Sequence, residues 1–253
     1  ERLSGPLKQA GRWCALLRWF NAESLGAILE QPLSLDDFQA LARYSFVIRP
    51  RLAPRAWACH DLVRRVQAAY LQDAVPTELR VFHARAARYF QEHDQPLEAL
   101  YHRFFEDTQA AFDAWQELEG QAAFAYDHPA WSALIEMAQA EELPLAPAMQ
   151  AQVFYRAGRR HYYRAEWDAA LASYQQALDL FRQVGDRLGE ANVLKAIGDV
   201  LQFRKQIDAA LASYQQALDL FRQVGDRLGE ANVLQAIGDV QQFRDEIGTA
   251  NAS

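Results

Sequence analysis

A stretch of 27 residues, DAALASYQQALDLFRQVGDRLGEANVL, occurs twice without change, from Asp168 to Leu194 and from Asp208 to Leu234. The offset is forty residues, and the full copies 168–207 and 208–247 differ at only four positions. A fixed period of this length is typical of a solenoid, in which each unit buries its apolar face on the next. Identical units make identical interfaces, so we expect a repetitive array over the C-terminal part of the chain.

Each unit has the pattern of two helices. One is predicted from about Arg187 to Arg204, with Asp186 as the residue that caps its N-terminus. The other is predicted from about Asp208 to Val224, and Gly225 is placed to end it in a left-handed conformation.

Small residues recur where two helices must approach closely. Gly198 and Ala210 leave room for such an approach, and Tyr214 is placed to fill the space beside them. The pattern of the second copy, with an earlier copy beside it, is Leu194, Ile197, Gly198, Leu201, Ala210, Tyr214 and Ala217, preceded by Phe154, Ala157, Gly158, His161, Ala170, Tyr174 and Ala177. It resembles the tetratricopeptide repeat (TPR), in its long-helix subclass. This resemblance implies an α/α superhelix over 149–253, with two full repeats and a terminal helix.

TPR arrays bind partners on the concave face that their first helices line, and the resemblance implies a protein or peptide ligand here. The side chains expected on that face are Tyr155, Arg159, Tyr162, Asn192, Lys195, Asp199, Phe203, Asn232, Gln235, Asp239 and Phe243. Asparagine can donate to and accept from the backbone of an extended peptide. The alternative is that these are ordinary solvated residues, with the phenylalanines packed inward.

The last predicted helix, about 227–244, keeps Leu234 and Ile237 but has no predicted partner helix after it. Such an open face favours weak self-association through the C-terminal end. Gln241 stands where the preceding copy has Leu201, and a polar residue there suits a terminal helix.

The N-terminal stretch has a different pattern. RWCALLRWF and AESLGAILEQ indicate two short helices, and Ser34 caps a third, LDDFQALARYSF. SFVIRP and RAWACH indicate two strands around a turn at Pro50–Pro54, before a helix from Asp61 to Leu71. Three helices and a β-hairpin predict a winged helix over 1–75. A helical linker of degenerate repeats is expected over 76–148, with a hinge or tight turn at ELPLAPA, residues 142–148.

The stretch CHDLVRRVQAAYL makes the winged helix more specific. It resembles the winged-helix domain behind the nucleotide-binding core of bacterial-type, MalT-like STAND NTPases, and of apoptosome ATPases. The resemblance implies that His60 and Asp61 sense ADP bound to an NTPase domain upstream in cis, and that the winged helix relays the nucleotide state to the TPR sensor. Alternatively, His60 only supports the end of a strand.

Two other functions remain open: a free-standing TPR scaffold, and a transcription regulator with a DNA-binding winged helix. Residues 1–75 hold ten Lys/Arg and seven Asp/Glu, a net +3 within a chain of net −7. This balance is not the strongly basic footprint of a nucleic-acid binder. Asp36 and Asp37 begin the helix that would enter the DNA groove, so we expect no nucleic-acid partner.

The chain contains none of the common catalytic motifs. It has no G-x-x-x-x-G-K-[ST] phosphate loop, no G-x-S-x-G elbow and no zinc-ligand spacing. We therefore predict that this chain is not an enzyme and holds no cofactor, with ATP or ADP expected only for the full-length protein. Glu98 and His102 lie four residues apart but lack further ligands, so no metal site is predicted.

Composition favours a cytoplasmic protein. Two cysteines do not make a disulfide framework, which suggests a reducing compartment. No run of about 18 apolar residues is present, so we expect no membrane span.

Overall fold

The computed structural model describes residues 5–49 and 56–252, with side chains as far as Arg244. The predicted turn at Pro50–Pro54 lies outside the described residues. The fold is mostly helical, and its elements are α1 (Gly5–Trp13), α2 (Ala22–Ile28), α3 (Leu35–Ala42), β1 (Val47–Ile48), β2 (Ala58–Cys59), α4 (Asp61–Ala74), α5 (Pro76–Glu92), α6 (Pro96–Arg103), α7 (Thr108–Phe124), α8 (His128–Ala138), α9 (Pro147–Tyr163), α10 (Trp167–Val184), α11 (Arg187–Phe203), α12 (Ile207–Val224) and α13 (Arg227–Ala252).

The chain forms two compact units. Unit 1 comprises Glu1–Leu118 and Ala140–Pro144, and unit 2 comprises Glu119–Gln139 and Leu145–Ser253. These are units of packing, and the domain ranges 1–75, 76–148 and 149–253 stay a prediction.

The first helix of unit 1 lies earlier than predicted. RWCALLRWF forms only the end of α1, and a short 3₁₀ turn at Cys14–Leu16 follows. Beyond this turn, Phe20 exchanges two hydrogen bonds of 2.7 Å with Trp57, from N–H to carbonyl in both directions. This pairing across the chain keeps the end of RWCALLRWF out of the helix that local periodicity predicts.

The next elements of unit 1 follow their local signals. The Ser34 hydroxyl accepts the backbone N–H of Asp37 at 3.0 Å and so caps α3 as predicted. β1 pairs antiparallel with β2, with Val47 opposite Cys59. Helices beside a two-stranded sheet are parts that a winged helix requires, but the winged helix itself stays a prediction.

Two buried thiols lie in contact within unit 1. The Sγ atoms of Cys14 and Cys59 are 3.5 Å apart, and both cysteines are free. The shared hydrogen bond, together with burial, raises the pKa of Cys14, and the same bond lowers the pKa of Cys59. The contact joins the 3₁₀ turn to β2.

The repeated units of unit 2 form the predicted helix pairs. The Asp186 carboxylate accepts the N–H of Gly189 at 2.8 Å and caps α11. Gly185 and Gly225 follow α10 and α12 with φ angles of 75° and 76°. This left-handed conformation strains residues with a side chain, which explains glycine at both positions.

In each full repeat, a tyrosine ring packs directly against a glycine of the neighbouring helix. The position that a Cβ would take at Gly158 is occupied by the ring of Tyr174, and the same holds for Gly198 and Tyr214. Both tyrosines are almost completely buried, and Ala210 packs beside them in the core. The glycines therefore allow adjacent helices to approach to ring-on-backbone contact.

Helix α13 repeats the sequence of α11 except at Gln235 and Gln241, but the face that α12 covers on α11 is open on α13. A Cβ at Gly238 would meet nothing within 4 Å, and Leu234 is 45% exposed where Leu194 is 5% exposed. Self-association through this face stays a prediction.

Helix α13 is also longer than the predicted 227–244, since it continues to Ala252. After α11 the chain turns at Lys205 with a φ of 59°, and α12 packs back on α11. No helix packs back on α13 among the described residues. No described residue of α13 has the left-handed conformation that Lys205 adopts after α11, so the helix continues.

The two equivalent glycines allow a matched test of the ring contact. We expect Gly198→Ala to destabilise the protein by about 1–3 kcal/mol, because the new methyl group displaces the Tyr214 ring. Gly238→Ala should be neutral or stabilising by up to about 1 kcal/mol, because the site is open and alanine favours helix. Urea unfolding of both variants measures the difference. Equal stabilities would mean that the ring contact does not fix the helix spacing.

Candidate protein-binding groove

The predicted binding residues lie on α9, α11 and α13, the first helices of successive repeats, and we call their shared surface the groove face. The side chains from α9 and α11 are half-buried; they are Tyr155, Arg159, Tyr162, Asn192, Lys195 and Asp199. The side chains from α13 are exposed; they are Asn232, Gln235 and Asp239. Phe203 is 61% exposed and Phe243 is 38% exposed. The phenylalanines are therefore not packed into the core, and both remain available to a ligand.

Three aromatic side chains form an aromatic patch at one edge of this face. Phe203 stacks on Trp167 with ring centroids 5.4 Å apart, and Tyr162 meets both rings edge-on, at 5.7 Å from Trp167 and 5.6 Å from Phe203. Mutual packing holds the rings in place while Phe203 stays largely exposed. An ordered, exposed aromatic surface is the kind that binds apolar side chains of a partner.

Asp199 is the polar centre of the groove face. The Tyr214 hydroxyl donates to its Oδ1 at 2.8 Å, and the Lys195 ammonium pairs with its Oδ2 at 2.7 Å. Burial raises the pKa of four surrounding tyrosines, and the negative charge of Asp199 raises it further; they are Tyr155, Tyr162, Tyr174 and Tyr214. The pKa of Tyr162 reaches about 12, so its hydroxyl remains a donor at neutral pH.

Charge changes sign along the groove face. The position of Arg159 in α9 is taken by Asp199 in α11 and by Asp239 in α13. One end therefore carries a cation and the other a carboxylate. Asn192 donates its side-chain N–H to the carbonyl of Leu188 in its own helix, at 3.0 Å.

The predicted nucleotide-sensing pair lies in unit 1. His60 and Asp61 are exposed at the N-terminus of α4, directly after β2. The Nδ1 atom of His60 accepts the N–H of Leu62 at 3.4 Å, a long bond, while the His60 backbone N–H donates to Phe46 at 2.8 Å. The exposed ring thus caps α4 through Nδ1, and the His60 backbone secures the end of the sheet.

Sequence comparison identifies the repeats. The tetratricopeptide repeat model matches residues 149–223 and 195–252. Residues 149–252 are TPRs. No curated protein matches the chain. Among solved structures, a crystal structure of a Signal Transduction ATPase with Numerous Domains (STAND) protein with a tetratricopeptide repeat sensor, from Pyrococcus horikoshii, is similar at 12% identity and a TM-score of 0.47. The alignment covers 95% of this chain and 48% of that chain, so this chain spans about half the length of its neighbour.

Sequence reasoning missed Trp167 on the TPR groove face. The signal was its departure from the repeat, because the next copy has Ile207 at this position. The roles of Tyr174 and Tyr214 near Asp199 were also missed, since their spacing indicated only core positions. Tyr214 meets both demands because its ring is buried while its hydroxyl donates to the half-buried Asp199.

The structure shows no cluster of three or more metal-ligating side chains among the described residues. His102, which spacing had placed near Glu98, instead pairs with His83, with their Nδ1 atoms 2.8 Å apart. Glu98 pairs with Arg18 at 3.6 Å. Burial lowers the pKa of His83 to about 3 and also lowers that of His102, so both rings are neutral.

This buried pair predicts acid sensitivity of unit 1. The unfolded chain binds protons on both rings below a pH of about 6.5. In the folded chain His83 binds a proton only near pH 3, and burial also lowers the pKa of His102. The contribution of the neutral histidine pair to the free energy of unfolding is therefore fully present above about pH 6.5 and is lost as the pH falls toward 3. At pH 5 the loss from His83 alone is up to about 2 kcal/mol, and protonation of His102 in the unfolded chain acts in the same direction.

The measurement is the urea unfolding midpoint at pH 7 and pH 5. His83→Gln should lose less stability between the two pH values than the parent chain does. His93→Gln is the matched control, because His93 is exposed at the end of the same helix. If all three proteins show the same slope, the histidine pair does not govern the acid response.

Proposed function

We propose that the TPR groove binds an extended segment of a protein partner. The observation that carries this proposal is the aromatic patch, in which Phe203 is 61% exposed while stacked on Trp167. Covering an exposed aromatic ring with a partner lowers the free energy of the complex. The rings of Tyr162 and Trp167 already hold Phe203 in one orientation, which reduces the entropy lost on binding. TPR arrays generally mediate protein interactions, which supports the same reading.

The polar residues suit an extended backbone. Asn232 is exposed, and Asn192 keeps its side-chain oxygen as an acceptor while its N–H is held by Leu188. Two equivalent amides on successive first helices would pair with peptide groups at two points along the segment. The change from Arg159 to Asp239 would favour one direction of the segment over the other.

Peptide display against the whole chain would supply a binding sequence for the test. Replacing Asn192 and Asn232 together with alanine should weaken binding of the selected peptide by about 1–3 kcal/mol, because its backbone groups lose their partners. Phe203→Ala should weaken it by a similar or larger factor. Phe124→Ala is the matched control, since Phe124 is 90% exposed in unit 2 outside the repeats. If the Asn and Phe203 variants bind as tightly as this control, the site lies elsewhere.

A second proposed function is the relay of nucleotide state from an NTPase domain. The observation that favours it is the exposure of His60 and Asp61 at the start of α4, where the STAND resemblance requires access to a phosphate. The same helix exposes an apolar stripe, since Leu62, Val66 and Tyr70 are each more than half exposed at four-residue spacing. An adjoining domain would cover such a stripe. In this reading the TPR array is the sensor.

The relay proposal assigns no catalysis to this chain. We propose that it neither binds nor hydrolyses ATP by itself, and calorimetric titration with ATP and ADP tests this.

None of the helices in the described part of the chain combines the length and apolar character that crossing a bilayer requires.

The relay requires a nucleotide-binding domain ahead of Glu1, so a phosphate-binding loop in the upstream coding sequence is its first test. In that longer protein, His60→Ala should speed ADP release by about ten- to a hundredfold, since one hydrogen bond to a charged group contributes about 1.5–3 kcal/mol. His93→Ala serves as the exposed-histidine control. A lower melting temperature with an unchanged rate of ADP release would mean that His60 only stabilises the end of the sheet.

A further inference from the structure

Unit 1 contains a cavity of about 750 Å³ outside the sites described above. Helices α4, α5 and α6 and the segment 141–144 surround it. Its volume lies in the range of pockets that enclose small organic molecules. The buried and half-buried apolar residues of its lining include Ala15, Leu16, Ala68, Leu79, Phe104 and Phe105.

Hydrogen-bond donors dominate the polar lining contributed by the helices. Arg64 and Arg65 come from α4, Arg80 from α5 and Tyr101 from α6. Guanidinium groups only donate. Arg80 is exposed and makes no ion pair within the part of the chain that the structure describes.

His83 adds a further donor. The Nε2 of His102 is buried without a partner. An unpaired acceptor there costs less than an unpaired N–H, so the proton of His102 belongs on Nδ1 and donates to His83. The proton of His83 is then on Nε2, the remaining polar atom of a ring that lines the cavity.

The acceptors in the cavity come from two consecutive glutamates in the segment 141–144. Glu142 pairs with Arg64 and accepts the Tyr101 hydroxyl at 3.0 Å, and Glu141 pairs with Arg65. The Arg64 and Glu142 side chains are only 15% and 13% exposed. The protein's own carboxylates thus pair with Arg64 and Arg65, in the way that an anionic ligand would.

We propose that this cavity binds a small organic anion, an aromatic molecule carrying a carboxylate or a phosphate, with its ring on the apolar lining and its charge at Arg64, Arg65 and Arg80. Arg80 is the cation that the protein's own carboxylates leave for the ligand. Bidentate pairing makes arginine suited to either anion. Glu142 competes with the ligand for Arg64, so binding loosens the segment 141–144 from α4.

The test uses the intact chain with two fluorescent probes, naphthyl phosphate and naphthylacetate. We expect at least one to bind with a millimolar or lower dissociation constant. Naphthalenemethanol lacks the charge and inorganic phosphate lacks the ring, so both should bind more weakly. Preference for one probe assigns the ligand to phosphate esters or to carboxylic acids.

Variants locate the probe in the cavity. Arg80→Gln should weaken it about tenfold, the effect of one lost charged hydrogen bond. Arg88→Gln is the matched control on the same helix, because Arg88 is exposed and does not line this cavity. Glu142→Gln should tighten binding by removing a competitor, and a melting curve confirms that this variant is folded.

Two results would overturn the proposal. One is no binding of either probe to the parent chain and to folded Glu142→Gln at millimolar concentrations. The other is binding that Arg80→Gln and Arg88→Gln alter equally, which would place the probe outside the cavity. Neither result bears on the TPR groove, which lies in unit 2.

Discussion

The contact of a tyrosine ring with a glycine of the preceding helix sets the geometry of the repeats. At Gly198 the ring of Tyr214 occupies the place of a side chain, so no larger residue fits without moving a helix. Close packing of this kind tolerates little change of volume. The contact also carries the tyrosine hydroxyl to Asp199, so one residue both fixes the spacing of the helices and furnishes the groove.

Features that local chemistry determines were predictable from the sequence. The helix pairs, the Asp186 cap and the left-handed Gly225 follow from residues within one turn of each feature. Features that depend on distant partners were not predictable. RWCALLRWF is α-helical only at its start, and its last residue, Phe20, pairs with the distant Trp57. The contact between Cys14 and Cys59 likewise spans 45 residues. The groove residues could be placed on their helices by spacing, but the stacking of Phe203 on Trp167 requires the repeats to be packed.

In this array, the positions that differ between repeats distinguish one part of the groove face from another. The repeated core residues are the same in both copies because their interfaces are the same. Tyr162, Arg159 and Trp167 have no counterpart of their kind in the next copy, which has Gln202, Asp199 and Ile207. These three residues give the groove its aromatic patch and its change of charge. A surface made only of identical copies would offer equivalent sites and no preferred register for a partner.

The open face of α13 has a consequence for the gene as well as for the protein. Each forty-residue unit carries a tyrosine near its start and a glycine near its end, as Tyr174 and Gly198 in the unit 168–207. The glycine of one unit packs against the tyrosine ring of the next. Insertion or deletion of one whole unit therefore leaves every remaining boundary with matching surfaces. Repetition at the level of the coding sequence thus allows the array to lengthen or shorten by whole units. The groove face gains or loses one first helix each time, so its length can change while the packing between units does not.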